Sequence, residues 1–381
     1  MTLAKAGIDT FALYEVEATY GVMPDMSSGS VHFGIVQSFG PSDRNNLIEV
    51  RGFKGLASSA GRDIYKLLGG KLEFSISIEF QPQHFDWLQY VLGTRTGAGT
   101  VASPYVYTGS DTLSSITISS SHELGGTDRN WYYLGCKINT MTMSATVGEP
   151  VKVTLDIIGA DIYPNTTKLT NVNLDTTDVY SFEGCSMEYP NATAVTNIID
   201  SFEISIGNNI EVLYGLGSRV GKAGIEKNRD YGVKFTFKEM DTNTYSDDFL
   251  GVVAGTTTAT TASKLVDGAA TFTDDLVGNK VINFTDQTTA TITAVDSTTT
   301  LSISADIFTI SEVYKIEGTP DNVATVEFNL VNTTANRHAY WLFANLKIDE
   351  YSNREDLLEI VPEEITMKAL SLTVTEEQSA A

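Results

Sequence analysis

The sequence predicts an all-β chain with minor α structure, built as two tandem domains of one kind plus a small inserted β module. Three observations carry this reading: polar and apolar residues alternate through most of the chain, the chain matches itself at a spacing of 163 residues, and the texture changes from Thr256 to Gly318. Successive side chains of a strand point to opposite faces, so a half-buried strand reads as alternation at period two. Residues 71–80 (KLEFSISIEF) alternate in this way, as do 137–144, 151–157, 324–330 and 367–374, and the short run around Ile116 and Ile118. Helical periodicity is scarce. Residues 83–92 place Phe85, Leu88 and Leu92 on one face, with Gly93 as a stop. Residues 246–253 form a weaker helix candidate, with Asp247 and Asp248 in a first turn, where the helix dipole favours acids.

The self-match orders the two domains. With no gap, Ile35, Ser38, Phe39 and Ser42 fall on Ile198, Ser201, Phe202 and Ser205, and Asn45-Asn46 on Asn208-Asn209. Further on, Gly52 falls on Gly215, Ala60-Gly61 on Ala223-Gly224, and Phe74 on Phe237. Residues 35–74 hold 12 identities in 40 positions, where unrelated sequences of average composition would give about 2 or 3. A second match sets Trp131 on Trp341 and Lys137-Ile138 on Lys347-Ile348, at a spacing of 210. The growth from 163 to 210 requires about 47 extra residues in the second copy. Residues 256–318 supply them: a Thr-rich lead, then short strand-like runs separated by turn residues, as in a small antiparallel barrel or sandwich. The expected domains are therefore 1–165, then 166–255 with 319–381, and the module 256–318 in a surface loop of the second copy, where added length costs little stability.

Chemistry-bearing patterns are few, and no enzyme, cofactor or metal is expected. His32, His84, His122 and His338 fall at no metal-ligand spacing and read as scattered surface or interface residues. Cys136 and Cys185 read as two buried thiols of a reducing compartment. The run 215–223 (GLGSRVGKA) resembles a phosphate loop but has Leu216 where a glycine is required and Ala223 where a Ser or Thr is required. Met1 to Lys5 opens without the apolar stretch of a signal peptide, and no apolar run approaches the roughly 18 residues of a membrane span.

Charge is more informative. The net charge of −23 argues against a protein that grips a nucleic-acid backbone. Yet two segments at equivalent places in the self-match are basic. Residues 44–71 carry Arg44, Arg51, Lys54, Arg62, Lys66 and Lys71 against two acids; residues 207–238 carry Arg219, Lys222, Lys227, Arg229, Lys234 and Lys238 against three. The rest of the chain keeps 13 of the 25 cations and 43 of the 48 acids. Two long basic loops on an acidic body predict self-association, the loop of one copy meeting the acidic surface of the next.

Several stretches resemble the tail tube (major tail) proteins of long-tailed, siphovirus-like phages or archaeal viruses. They are residues 7–21 (GIDTFALYEVEATYG), 38–46 (SFGPSDRNN) leading to 61–64 (GRDI), 134–159 (LGCKINTMTMSATVGEPVKVTLDIIG), and 202–209 (FEISIGNN) with 216–219 (LGSR). Residues 262–268 and 301–308 of the insertion are similar to small β modules of virion proteins. The resemblance implies tail-tube-type β-sandwich or barrel domains in a virion protein assembled in the host cytoplasm. It implies stacking as rings, together with other tail proteins, into a hollow tube through which DNA passes during ejection without specific binding. It also implies that the basic loops reach the neighbouring ring. Tail tube proteins with one domain form six-membered rings, so two domains per chain imply three chains in a pseudo-six-fold ring. A tail-tip or baseplate hub protein with two tube-like domains is the alternative, and a host-binding adhesin a more distant one.

Overall fold

The computed structural model describes residues 11–27, 30–50, 66–122, 129–166, 169, 175–189, 193–195, 199–238, 249, 251, 253–318, 323–353 and 362–378. The first part of the chain forms β1 (Phe11–Val16), β2 (Val31–His32), β3 (Ile35–Arg44), β4 (Ile48–Val50), β5 (Lys66–Leu68) and β6 (Glu73–Gln81). A 3-10 turn at Asp86–Leu88 leads into α1 (Gln89–Leu92), followed by β7 (Gly93–Thr96), β8 (Tyr105–Gly109), β9 (Ile116–His122), β10 (Arg129–Thr146), β11 (Lys152–Gly159) and β12 (Asp161–Asn165). Next come β13 (Cys185–Glu188), β14 (Ile199–Gly207), β15 (Glu211–Tyr214), β16 (Gly221–Ile225) and β17 (Asp230–Phe237). The inserted segment holds β18 (Val253–Thr256), β19 (Lys264–Val266), β20 (Lys280–Asn283), β21 (Thr288–Ser297), β22 (Thr300–Ile303) and β23 (Val313–Ile316). The chain returns as β24 (Val323–Asn332), β25 (Arg337–Asn353) and β26 (Glu363–Gln378). Among the described residues 61% are strand and 5% helix, so the fold is all-β.

Alternation produces the strands as expected. In β6, Phe74, Ile76, Ile78 and Phe80 are buried while Ser75 and Ser77 are exposed, and β24 buries Val326, Phe328 and Leu330 in the same rhythm. The short helix also forms where the spacing puts it. Phe85, Leu88 and Leu92 are fully buried, and Gly93 ends it in the left-handed region at φ +105°. A side chain there would also meet Ser110 Cβ at 2.7 Å, so glycine is required on both counts. Of the second helix candidate, only Phe249, Gly251 and Val253 are among the described residues, and Phe249 is helical.

Both halves of the chain share one sheet. Its main path runs β13-β24-β25-β26-β17-β14-β10-β11-β6-β3, and one apolar core runs beneath both halves. The halves meet where β14 pairs with β10, from Thr140 opposite Gly207 to Thr146 opposite Ser201. They meet again where β8 pairs with β26. β3 closes one end of the path and the four-residue β13 the other.

Irregularities recur in the two halves. The β3–β6 ladder slips by one residue between Val36 and Ser38, and the β14–β17 ladder between Ile199 and Ser201, 163 positions on. The β10–β11 ladder slips between Ile138 and Thr140, and the β25–β26 ladder between Ile348 and Glu350, 210 positions on. Asn46 and Asn209 both take positive φ, as do Gly135 and Asn345. One detail of the gapless match is corrected. Val36 faces Phe80 and Ile199 faces Phe237, so ladder register sets Phe237 at the place of Phe80 rather than of Phe74. The cause is loop length: 28 residues separate β3 from β6, whereas 22 separate β14 from β17.

Residues 253–318 form a sheet of their own, β18-β23-β20-β21-β22-β19, around a separate core that includes Leu265, Val281, Ile292, Leu301, Tyr314 and Ile316. Its ends come together, since a Cβ on Gly318 would lie 2.1 Å from the Gly251 carbonyl oxygen. Its first strand, β18, starts at Val253, three residues before Thr256.

Candidate assembly surface

The second basic segment is a hairpin, β15–β16, fastened across the junction between the two halves. Asn208 is 1% exposed and organises its base. Its amide N–H donates to the Asn139 carbonyl at 2.8 Å, and its Nδ2 donates to the carbonyls of Val91 and Ile138 at 3.0 Å each. Its Oδ1 accepts from Arg229 Nε at 2.7 Å, and Arg229 also donates to the Ser110 carbonyl at 2.9 Å. The Ile210 amide donates to Asn139 Oδ1 at 2.8 Å. Deeper in the junction, Lys137 donates to the Gly224 carbonyl at 2.9 Å and to Glu226 Oε1 at 2.5 Å. Burial pushes the Glu226 carboxyl up, but hydrogen bonds from Lys137 and from the Leu113 amide hold it below its ordinary range. Such a half-enclosed pair resists loss of either partner, because the survivor stays buried and uncompensated.

The first basic segment leaves β3 through Asn46, whose Nδ2 donates to Glu73 at 2.7 Å, and enters the β4–β5 hairpin. This hairpin exposes Leu47, Ile48, Leu67 and Leu68. The two segments touch each other. Arg219 donates to the Gly70 carbonyl at 2.6 Å and to Asn45 Oδ1 at 2.8 Å, the Leu72 amide donates to the Arg219 carbonyl at 2.8 Å, and Tyr214 Oη donates to the Leu72 carbonyl at 2.7 Å. Lys71 lies 5.0 Å from the centre of the Tyr214 ring.

The twelve cations expected to face a neighbouring ring therefore have several fates. Arg51, Lys54 and Arg62 lie outside the described residues. Arg219 and Arg229 are bound within the chain, as above. Lys71 pairs with Glu73, Lys227 with Glu211 at 2.7 Å, Lys234 with Glu364 at 3.0 Å and Lys238 with Asp200 at 3.2 Å. Arg44, Lys66 and Lys222 are exposed and form no ion pair with a described residue. Counting charges along the chain could not show this, because the partners Asp200, Gly70, Ser110 and Glu364 belong to other strands and turns.

Two other readings are corrected. His32 and His84 are not surface residues: both are 6% exposed, with ring centres 4.9 Å apart. Burial lowers both, His84 to about 4. Cys136 is buried but Cys185 is half-buried, and both are free. Near the histidines, Glu376 is 5% exposed and accepts from Tyr107 Oη at 2.9 Å and from the Phe85 amide at 3.3 Å. Burial, then the Asp86 charge, push its carboxyl up to about 7. No run of residues around Glu376 sets it apart from the other acids of the chain, so it escaped sequence reasoning. Enclosed on all sides, it packs three elements together rather than meeting a substrate. Residues 215–220 are the turn between β15 and β16, and Gly221 to Ala223 open β16, so the run leads into a strand and offers no helix N-terminus to a phosphate. Among the described residues no group of three His, Cys, Asp or Glu could hold a metal.

No curated protein matches the sequence. A family profile described as "Phage tail tube protein" matches residues 7–330, spanning the shared sheet from β1 into β24 together with the inserted module. With 324 of its 381 residues inside that match, the chain belongs to the phage tail tube protein family, structural virion components that assemble with copies of themselves and with other tail proteins into a tube.

Proposed function

We propose that the chain is an internal duplication of a tube domain, and that it polymerises as stacked rings into a hollow tube that conducts viral DNA during ejection. Three chains form each ring, so six domains surround the channel. The observation that carries this reading is the recurrence of the same ladder slips, at Val36/Ser38 and Ile199/Ser201 and at Ile138/Thr140 and Ile348/Glu350. A slip costs a ladder hydrogen bond and is kept where the fold uses the bend. Two unrelated halves have no reason to slip at matching places. The acidic body suits a conduit, since lumen carboxylates repel phosphate and keep counterion release from holding DNA on the wall. Lys66 and Lys222, with Arg51, Lys54 and Arg62, supply the cations that meet the adjacent ring. The role is structural, without catalysis, in the tail of a long-tailed virus assembled in the host cytoplasm; no observation favours a tail-tip hub.

Negative-stain microscopy of the purified protein tests the reading. Long hollow tubes whose cross-sections average with three-fold symmetry are expected. Isolated rings that never stack would favour the hub, and a persistent monomer would refute self-assembly.

A further inference from the structure

The junction between the two halves is a template for the contact between chains. We propose that copies join side by side through an antiparallel pairing of the C-terminal part of β25 with β3 of the next chain, Glu350 opposite Arg44. The inference rests on the self-assembly reading above and names the strands and register that close the ring.

Among the described residues, neither edge is paired by another strand of the chain. β3 pairs with β6 on one side and ends the sheet on the other. Beyond Leu346, β25 pairs with β26 on one side only. Their counterparts, β14 and the C-terminal part of β10, are the two strands that pair across the junction. Carrying that register over by 210 positions on β10 and 163 on β14 sets Glu350 on Arg44, Tyr351 on Asp43, Ser352 on Ser42 and Asn353 on Pro41.

The residues at these edges suit such a union. Arg44 and Glu350 are exposed, carry opposite charge and form no ion pair with a described residue, and the transfer sets them directly opposite each other. Leu47 is 59% exposed, whereas its counterpart Ile210 is 9% exposed against the first half. Asn45 is exposed, whereas its counterpart Asn208 is buried and donates to the Ile138 carbonyl; Ile348 offers the matching carbonyl. Asn139 Oδ1 accepts the Ile210 amide at 2.8 Å, and Asp349 stands at the position of Asn139 with a carboxylate able to accept the Leu47 amide. Pro41 withholds one amide donor, a loss that edge strands tolerate. The contact is heterologous, one edge meeting a different edge, so it closes into a ring when the rotation per copy suits. The charge complementarity and the continuity with the in-chain junction both specify a second copy as the occupant.

Cysteine cross-linking tests the register. Directly opposed residues of an antiparallel pair have Cα atoms about 4.5–5.5 Å apart, within disulfide reach. Arg44→Cys and Glu350→Cys chains, mixed, assembled and oxidised, should give a covalent dimer at least about ten-fold more abundant than either variant alone, while Ser42→Cys mixed with Glu350→Cys, two residues out of register, should not. The double variant R44C/E350C should give a ladder ending at a closed trimer. Independently, Arg44→Glu or Glu350→Arg should weaken association about ten-fold, and the two together should restore it. Tubes that form without the 44–350 dimer would overturn the register and leave the tube reading standing. Folded protein, by circular dichroism, that gives neither tubes nor dimers would overturn both.

Discussion

Replacing Glu376 with Gln should stabilise the protein above neutral pH and leave it unchanged in acid. Glu376 lies on β26 opposite Ala339 and Tyr105, and its carboxyl is enclosed by Tyr107 and the Phe85 amide. Its carboxyl sits near 7 in the folded chain against an ordinary value of 4.5, and burial is the main cause. The folded state therefore holds this proton more tightly than the unfolded chain does. The stability that follows is fully present below about pH 4.5, is lost as pH rises towards 7, and stays lost above it. A difference of about 2.5 pH units at 1.36 kcal/mol each is about 3 kcal/mol. Gln stays neutral: its Oε1 can accept from Phe85 and its Nε2 can donate to a reoriented Tyr107 hydroxyl. For one cooperative transition of this chain, about 3 kcal/mol corresponds to about 4 °C in melting temperature. Calorimetry of parent and Glu376→Gln from pH 4 to 8 measures the difference, and the opposing titrations of His32 and His84 cancel in it. A parent that loses nothing relative to the variant between pH 4.5 and 7 would show that Glu376 is already ionised there, and that its enclosure does not hold the proton.

Deleting residues 253–317 should leave a folded chain that still assembles, because the module has its own sheet and core and its ends meet at Gly251 and Gly318; a soluble, folded deletion variant that forms no tubes would show the module to be part of the wall. Reversing Arg62, Lys66 and Lys222 to Glu should shorten tubes without changing the circular dichroism spectrum, and parent tubes should shorten in 1 M salt, where screening acts over about 3 Å. Arg219→Glu should behave differently and lower the melting temperature, because its guanidinium holds Gly70 and Asn45 of the same chain. Full-length tubes from the triple variant would remove the basic loops from the stacking contact.

Local features were legible in the sequence because local physics produces them. Alternation through Phe74, Ile76, Ile78 and Phe80 becomes β6 since strand side chains repeat at period two. Gly93 ends the helix because a residue with a Cβ cannot easily hold φ +105° there. The change of texture from Thr256 onward was legible because a contiguous segment carries its own turn residues, and the separate sheet over residues 253–318 is built from that segment. The all-β class and the paired Asn45-Asn46 and Asn208-Asn209 were likewise read without coordinates. Tertiary structure alone decided which residues meet across long separations. Ladder register sets Phe237 at the place of Phe80 and not of Phe74, because identity matching follows the chain, whereas register follows hydrogen bonds and absorbs a loop six residues longer. Arg219 and Arg229 read as free loop cations until Gly70 and Ser110, 149 and 119 positions away, accepted their hydrogen bonds. The roles of Asn208 and Glu376 carry no local signature, for the same reason: the role of a polar group depends on what encloses it, and that is set by the strands the fold brings together.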